Sequence, residues 1–323
     1  MWFALFRAAS FFLFAQVAIS VTTFTNPIKN PNGSDPFMVY DGGYYYLLTT
    51  TWTNVQITRA TTVTGLRTAT PKVVWTDSTS TRCCNVWAPE IHKVRYPWYL
   101  YYTAGQSADL GLQRSHVLQG GSTPWGTYSY KTTNAPDAWS IDGTVLTVSG
   151  ANYFVFSSFN DAGLQSLYIA PMTNAYTLGA RSLLSTPTAS WETVGAPVNE
   201  GPQALYKNGA IYLTFSASYC WTSSYSLGLL KYNGGTVTSA SSWTKSGPVF
   251  TSANGNYGPG HNGFFTSPDG QTTYLVYHAT SNSAGACDGS RYTLIQPLYF
   301  HSDGVTPNWG VPRALSDNIP APL

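Results

Sequence analysis

Charge is what this chain has least of. Of 323 residues, 16 are Lys or Arg and 14 are Asp or Glu, about 9%, where ordinary soluble domains carry roughly 25%. Coiled coils and long helical arrays need more, so an α-helical bundle is excluded. The net charge is only +2 and no run of Lys or Arg occurs. Without a basic patch there is no electrostatic footprint for nucleic acid or an anionic membrane surface, and the expected partner is uncharged. Cysteine is also scarce: Cys83, Cys84, Cys220 and Cys287, with no Cys-x-x-Cys pair. The five histidines lack the spacing of a zinc site. Past residue 20 no apolar stretch is long enough to span a bilayer.

Aromatic residues are plentiful instead. The 11 Trp, 23 Tyr and 15 Phe sit in a chain that is 43% apolar, which excludes intrinsic disorder. Residues 1–20 carry Arg7, an apolar stretch and small residues at Ala18 and Ser20, the pattern of a secretory signal peptide. We therefore expect a secreted, extracellular protein whose mature part, residues 21–323, is one domain. In an oxidising compartment four cysteines read as disulfides with three pairings open. Pairing neighbours brings Cα atoms closer than disulfides usually span. The expectation is nevertheless Cys83 with Cys84 and Cys220 with Cys287, because the latter two fall at equivalent places in adjacent repeats. One sequon, Asn32-Gly33-Ser34, is present; a glycan there would crowd the site described next.

After Phe24 the chain is a succession of short Tyr-, Phe-, Val-, Leu-, Ile- and Thr-rich runs broken by Gly, Asn and Asp turns, the signature of antiparallel strands. One hairpin form recurs five times, led by Asp35, Glu90, Asp142, Glu200 and His261 at intervals of 55, 52, 58 and 61 residues. Even spacing of that length predicts an all-β, five-bladed β-propeller. A β-sandwich would not place comparable residues at comparable intervals.

The first residues of the innermost strands of a propeller converge on one funnel at its axis. Four of the five leading residues are carboxylates, out of fourteen in the chain. Clustered carboxylates repel one another and cost stability unless chemistry uses them. Two carboxyl groups flanking a glycosidic bond make a hydrolase, one protonating the leaving oxygen and the other activating water or attacking the sugar. Asp35 is read as base, Glu200 as acid, and Asp142 as the neighbour that raises the pKa of Glu200. Trp52, Trp87, Trp139, Tyr219 and Trp221 lie beside the strand ends, where flat rings suit a sugar face; Trp52 and Trp87 are taken as substrate-binding. Glu90 is read as a hydrogen-bonding residue at the blade centre and Glu192 as surface. His92, His116, His278 and His301 are read as strand or surface residues, and Trp75, Trp98, Trp191, Trp243 and Trp309 as packing.

The ordered set Ser34-Asp35-Pro36-Phe37, Trp87-Ala88-Pro89-Glu90, Ile141-Asp142-Gly143, Glu200-Gly201-Pro202 and Gly260-His261-Asn262 resembles glycoside hydrolase family 43 over essentially the whole mature chain. The resemblance implies a five-bladed propeller acting with inversion on arabinose- or xylose-containing plant polysaccharides. It assigns Asp35 as general base, Asp142 as the residue that tunes and orients the acid, and Glu200 as general acid. It also implies that His261 lies near the funnel floor, where some members hold a hydrated cation, here a structural Ca2+, and that Arg291 reaches towards the acid and substrate. No cofactor is needed for the chemistry. Residues 82–90 look most like the fungal branch of exo-α-1,5-L-arabinofuranosidases, and Asp35 argues against the exo-β-1,3-galactanase branch. The expectation is a monomer releasing L-arabinofuranose from α-1,5-arabinan, arabino-oligosaccharides or arabinoxylan. A β-1,4-xylosidase, an endo-α-1,5-L-arabinanase and a non-catalytic sugar-binding propeller are the alternatives.

Overall fold

The computed structural model describes residues 22–323, so the expected signal peptide lies outside the described residues. Five antiparallel sheets follow one another along the chain, each running from an inner to an outer strand in sequence order. Blade 1 is built from Phe37–Asp41, Tyr44–Leu48, Val55–Ala60 and Lys72–Trp75, and blade 2 from Cys84–Lys93, Trp98–Gly105, Arg114–Gln119 and Ser129–Asn134. Blade 3 comprises Ile141–Val148, Ala151–Phe159 and Gln165–Asn174 with the short edge pieces Thr177–Leu178 and Ser182–Ser185. Asn199–Lys207, Ala210–Ala217, Ser226–Tyr232 and Trp243–Phe250 form blade 4, and Tyr257–Thr266, Thr273–Thr280, Tyr292–Phe300 and Pro307–Asn308 form blade 5. The expected five-bladed propeller is what the chain forms. No helix among the described residues is long and apolar enough to cross a membrane.

The core is five seams between neighbouring blades. Tyr46 and Leu48 pack with Leu100 and Tyr102 between blades 1 and 2, while Tyr45 and Leu47, on the opposite face of the same strand, pack with Phe265 and Val276 of blade 5. Successive residues of a strand point to opposite faces, and in a propeller both faces are covered. That is why runs such as Tyr44-Tyr45-Tyr46-Leu47-Leu48 and Trp98-Tyr99-Leu100-Tyr101-Tyr102 show no polar alternation. Trp98 and Trp243 are buried in seams, and Trp75, Trp191 and Trp309 pack against them, as the sequence reading expects.

Each innermost strand turns towards the axis at a residue in the left-handed region, Asp35 (φ 53°), Ala88 (43°), Asp142 (58°), Gly201 (53°) and His261 (42°), and the inner strands of blades 2 and 5 hold a second such residue earlier, Asn85 (52°) and Gly258 (56°). In blades 2 to 5 the ladder register slips at this kink. The kinks correct the alignment of the repeat. Glu90 lies two residues beyond its kink and Glu200 one residue before its own, so the acids are not strict equivalents. Four kink N–H groups donate to a side chain on the second strand of the preceding blade or just beyond its end: Ala88 to Thr50, Asp142 to Thr103, His261 to Ser216 and Asp35 to His278. The exception is Gly201, whose N–H donates to the Asp142 carboxylate at 3.1 Å.

Both expected disulfides are formed. Cys83–Cys84 joins adjacent residues with Cα atoms 3.7 Å apart, and Cys220–Cys287 ties the loop after the second strand of blade 4 to the loop before the third strand of blade 5.

Candidate active site

The kinks turn Asp35, Asp142 and His261 into one pocket of about 360 Å³, and Glu200 enters from the residue before its kink. Larger clefts exist elsewhere on the surface, but this one holds the converging carboxylates. Its walls include Trp52, Trp87, Trp139, Tyr219 and Trp221, the five aromatics expected near the strand ends, together with Gln165, Arg291 and the Cys220–Cys287 bridge. Trp52 and Trp87 meet edge to face at 6.0 Å. Trp139 packs on Phe159 at 4.6 Å and donates its indole N–H to the Leu110 carbonyl.

Asp35 and Asp142 are buried and Glu200 is partly buried, and the three live in different fields. Burial pushes Asp35 up, yet the Arg291 guanidinium 3.3 Å from Oδ1, together with His261 and His278, holds it well below the usual carboxylate range. Thr50 Oγ1 donates to Asp35 Oδ2 at 2.6 Å. Asp35 is therefore an anion over the working range. Asp142 is pushed up to about 7, first by burial and further by Glu200 and Asp35, against the pull of His261 and the Gly201 N–H. Glu200 is also raised, by burial and then Asp35, although Tyr225, His261 and Gln165 oppose the shift. Asp142 and Glu200 titrate as a pair, and that pair retains a proton to near neutrality.

The hydrogen bonds leave room for that proton on Glu200 Oε1, although both donors to Glu200 favour its anion. Asp142 accepts from a main-chain N–H, a donor that cannot reverse. Glu200 Oε1 accepts from the Tyr225 hydroxyl at 2.8 Å and Oε2 from Gln165 Nε2 at 2.7 Å. A hydroxyl can rotate and accept from a protonated Oε1, whereas an amide NH2 only donates.

His261 stands between the carboxylates, Nδ1 lying 3.5 Å from Asp35 Oδ1 and 3.7 Å from Asp142 Oδ2. Burial would lower its pKa, but Asp142, Asp35, Glu200 and Glu90 raise it. Among the described residues no group of three or more His, Cys, Asp and Glu side chains has metal-binding geometry.

Several placements differ from the sequence reading. Arg291 pairs with Asp35 rather than with Glu200. Glu192, read as surface, is completely buried: its carboxylate accepts from the Thr188 and Ala189 N–H groups at 2.8 Å each and pairs with Lys245 Nζ at 2.8 Å. The short turn Ser190–Glu192 folds that side chain inward, which an isolated Glu between two polar stretches does not reveal. His278, read as an ordinary strand residue, accepts the Asp35 N–H at 3.0 Å and lies 3.2 Å from Arg291. Burial and Arg291 lower its pKa to about 3, so it is neutral. Glu90 bonds Gln203 and His92 below the pocket, as a blade-centre residue should. Tyr225 and Gln165 had no signal in the spacing of motifs. Both stand at the entry of a third strand, and only the closed ring brings those entries to the funnel.

The profile of Glycosyl hydrolases family 43 matches residues 24–306. The chain belongs to glycoside hydrolase family 43. Among curated members, it is 38% identical over 310 residues to the extracellular exo-α-(1→5)-L-arabinofuranosidase of Streptomyces avermitilis, with 90% of this chain and 64% of that protein covered. The enzyme of the same name from Streptomyces chartreusis is 37% identical, with 78% of this chain and 82% of that protein covered. The chain thus spans just under two thirds of the first relative's length and about four fifths of the second's. Among solved family members, the α-L-arabinofuranosidase from Lactobacillus brevis superposes with a TM-score of 0.84 at 30% identity, covering 91% of this chain and 98% of that one.

Proposed function

We propose that the protein is an inverting exo-α-L-arabinofuranosidase that removes L-arabinofuranose from α-1,5-linked arabinan, arabino-oligosaccharides or arabinose-bearing xylan. The observation that carries the reading is the set of three carboxyl groups from three blades in one aromatic-walled pocket, one held anionic and two sharing a proton. The names of its relatives supply the sugar. Asp35, kept ionised by Arg291, takes a proton from the attacking water. Glu200 gives its proton to the leaving oxygen and takes another from solvent between turnovers, while Asp142, held by the Gly201 N–H, orients Glu200 and favours its protonated form by charge repulsion. His261 offsets the charge of the two aspartates. Trp52 and Trp87 present ring surface to the sugar. The chemistry uses side chains and water alone, a monomer is sufficient for it, and the apolar stretch at residues 8–19 together with the extracellular relatives supports secretion.

The test is to incubate the protein with linear arabinan and with arabinoxylan and follow the first-formed products by chromatography and proton NMR. Free arabinose of inverted anomeric configuration from the first time point is expected. Oligomers as first products would point to internal cleavage, and a retained anomer would remove the role given to Asp35.

A further inference from the structure

The site is completed by a second, partly buried polar network behind Glu200, and its components come from three separate parts of the chain. Lys245, on the outer strand of blade 4, places Nζ 2.8 and 3.0 Å from the two carboxylate oxygens of Glu192 and 2.7 Å from the Thr186 carbonyl. Glu192 Oε1 in turn accepts from Asn199 Nδ2 at 3.1 Å. Asn199 is fully buried and immediately precedes Glu200. Its Oδ1 accepts from Ser185 at 2.9 Å and its main-chain carbonyl from Ser157 Oγ at 2.8 Å.

The Ser157 hydroxyl closes the loop. While donating to Asn199, it accepts from Gln165 Nε2 at 3.2 Å, and Gln165 Nε2 also donates to Glu200 Oε2. Glu200 is thus fixed twice from the same anchor, through the backbone of Asn199 on one side and through Ser157 and Gln165 on the other.

We propose that Glu192 and Lys245 are positioning residues for the proton donor, setting the place of Glu200 Oε through Asn199, Ser157 and Gln165 without touching substrate. The inference rests on Glu200 being the donor. Buried ion pairs contribute little net stability against an apolar replacement, but they are effective at fixing one geometry. A general acid needs that, since a displacement of about 1 Å costs on the order of 100-fold in rate.

The experiment compares α-1,5-arabinobiose, whose leaving group needs a proton, with an aryl α-L-arabinofuranoside bearing a strongly acidic phenol, which does not. The double variant Glu192→Gln with Lys245→Met leaves no lone buried charge, and Ser157→Ala cuts the side-chain arm with the loss of one oxygen. Each is expected to lower kcat on arabinobiose by about tenfold or more while KM and the aryl glycoside rate stay within about twofold. Equal losses on both substrates, a change in KM alone, or no loss in either variant overturn the proposal. Glu200→Gln is run alongside. If it spares the aryl glycoside and the network variants do not, only the positioning role fails; if it slows both substrates alike, the donor assignment fails and this inference with it.

Discussion

Asp35 is buried and Glu200 partly buried, yet one is held down in pKa and the other up, and the difference lies in which charges each faces. Arg291 lies against Asp35, and no cation of comparable strength touches Glu200. The active form is the one with Asp35 ionised and one proton on the Asp142–Glu200 pair. Raising the pH through about 7 strips that proton, so kcat/KM falls on the alkaline side there, whereas the acid limb lies below the usual carboxylate range. A pH profile of kcat/KM tests this, and an alkaline limb above pH 9 contradicts it. Tyr225→Phe removes a donor that favours the Glu200 anion, so the alkaline limb should move up while kcat on arabinobiose falls severalfold. The same shift has a cost in stability. In the unfolded chain both carboxyls ionise at about 4, but in the fold the Asp142–Glu200 pair holds one proton to about 7. Across that window the folded state binds more protons, and stability falls as pH rises. Asp142→Asn should raise Tm over the parent more at pH 8 than at pH 4 while activity is lost; a gain of equal size at both rules out the electrostatic origin.

At the level of the strand, the repeat was readable because the inner strands carry acids beside Pro and Gly, but the feature that defines it was not. The kinks fall at Asp35, Ala88, Asp142, Gly201 and His261, and only one of these is the residue type that normally signals a positive φ. Asp tolerates that region, whereas Ala and His are held there by surrounding structure, which no local pattern records. The sequence therefore yielded the blades, their number and the residues at their mouths, and missed the one-residue offset that lets Glu200 face Asp142. Partners from distant strands, His278, Tyr225 and Gln165, were hidden for the same reason: closure of the ring, and not spacing along the chain, brings them in. Gly201 shows how tightly the kink is built. A Cβ there would lie 3.1 Å from Cγ and Nδ1 of His261, and the left-handed backbone costs an L-residue about 1–2 kcal/mol. Gly201→Ala should lower Tm by a few degrees and reduce kcat by displacing His261 from Asp35 and Asp142; unchanged melting and turnover would refute this account of the kink.

Over the whole ring, four seams join blades that follow each other directly, but the fifth must bring the two ends of the described chain together. Residues 26–33 run along the third strand of blade 5, Ile28 and Gly33 donating to the Thr293 and Arg291 carbonyls and Thr293 donating back to Lys29. Asn26 makes the paired contact, its Nδ2 donating to the Ile295 carbonyl and its Oδ1 accepting the Ile295 N–H, both at 3.0 Å. Phe24 and Ile28 bury their side chains in the same seam with Ile295 and Ile319, and Thr23–Phe24 pairs with Ile319–Pro320. This seam also carries Asp35 to its partners, because His278 and Arg291 belong to blade 5 and Asp35 to blade 1. Closure of the ring and charging of the base are therefore one event. Asn26→Ala leaves a buried N–H and carbonyl of Ile295 without partners, each worth about 1–3 kcal/mol, at a position that contacts no pocket residue. Its kcat and KM in dilute buffer should match the parent, while Tm drops by several degrees. In a urea series activity should vanish before the far-UV circular dichroism of the blades, since opening this one seam separates Asp35 from Arg291 and leaves the other four packed. Loss of activity and of strand signal at the same urea concentration would mean that the ring opens only when it unfolds entirely.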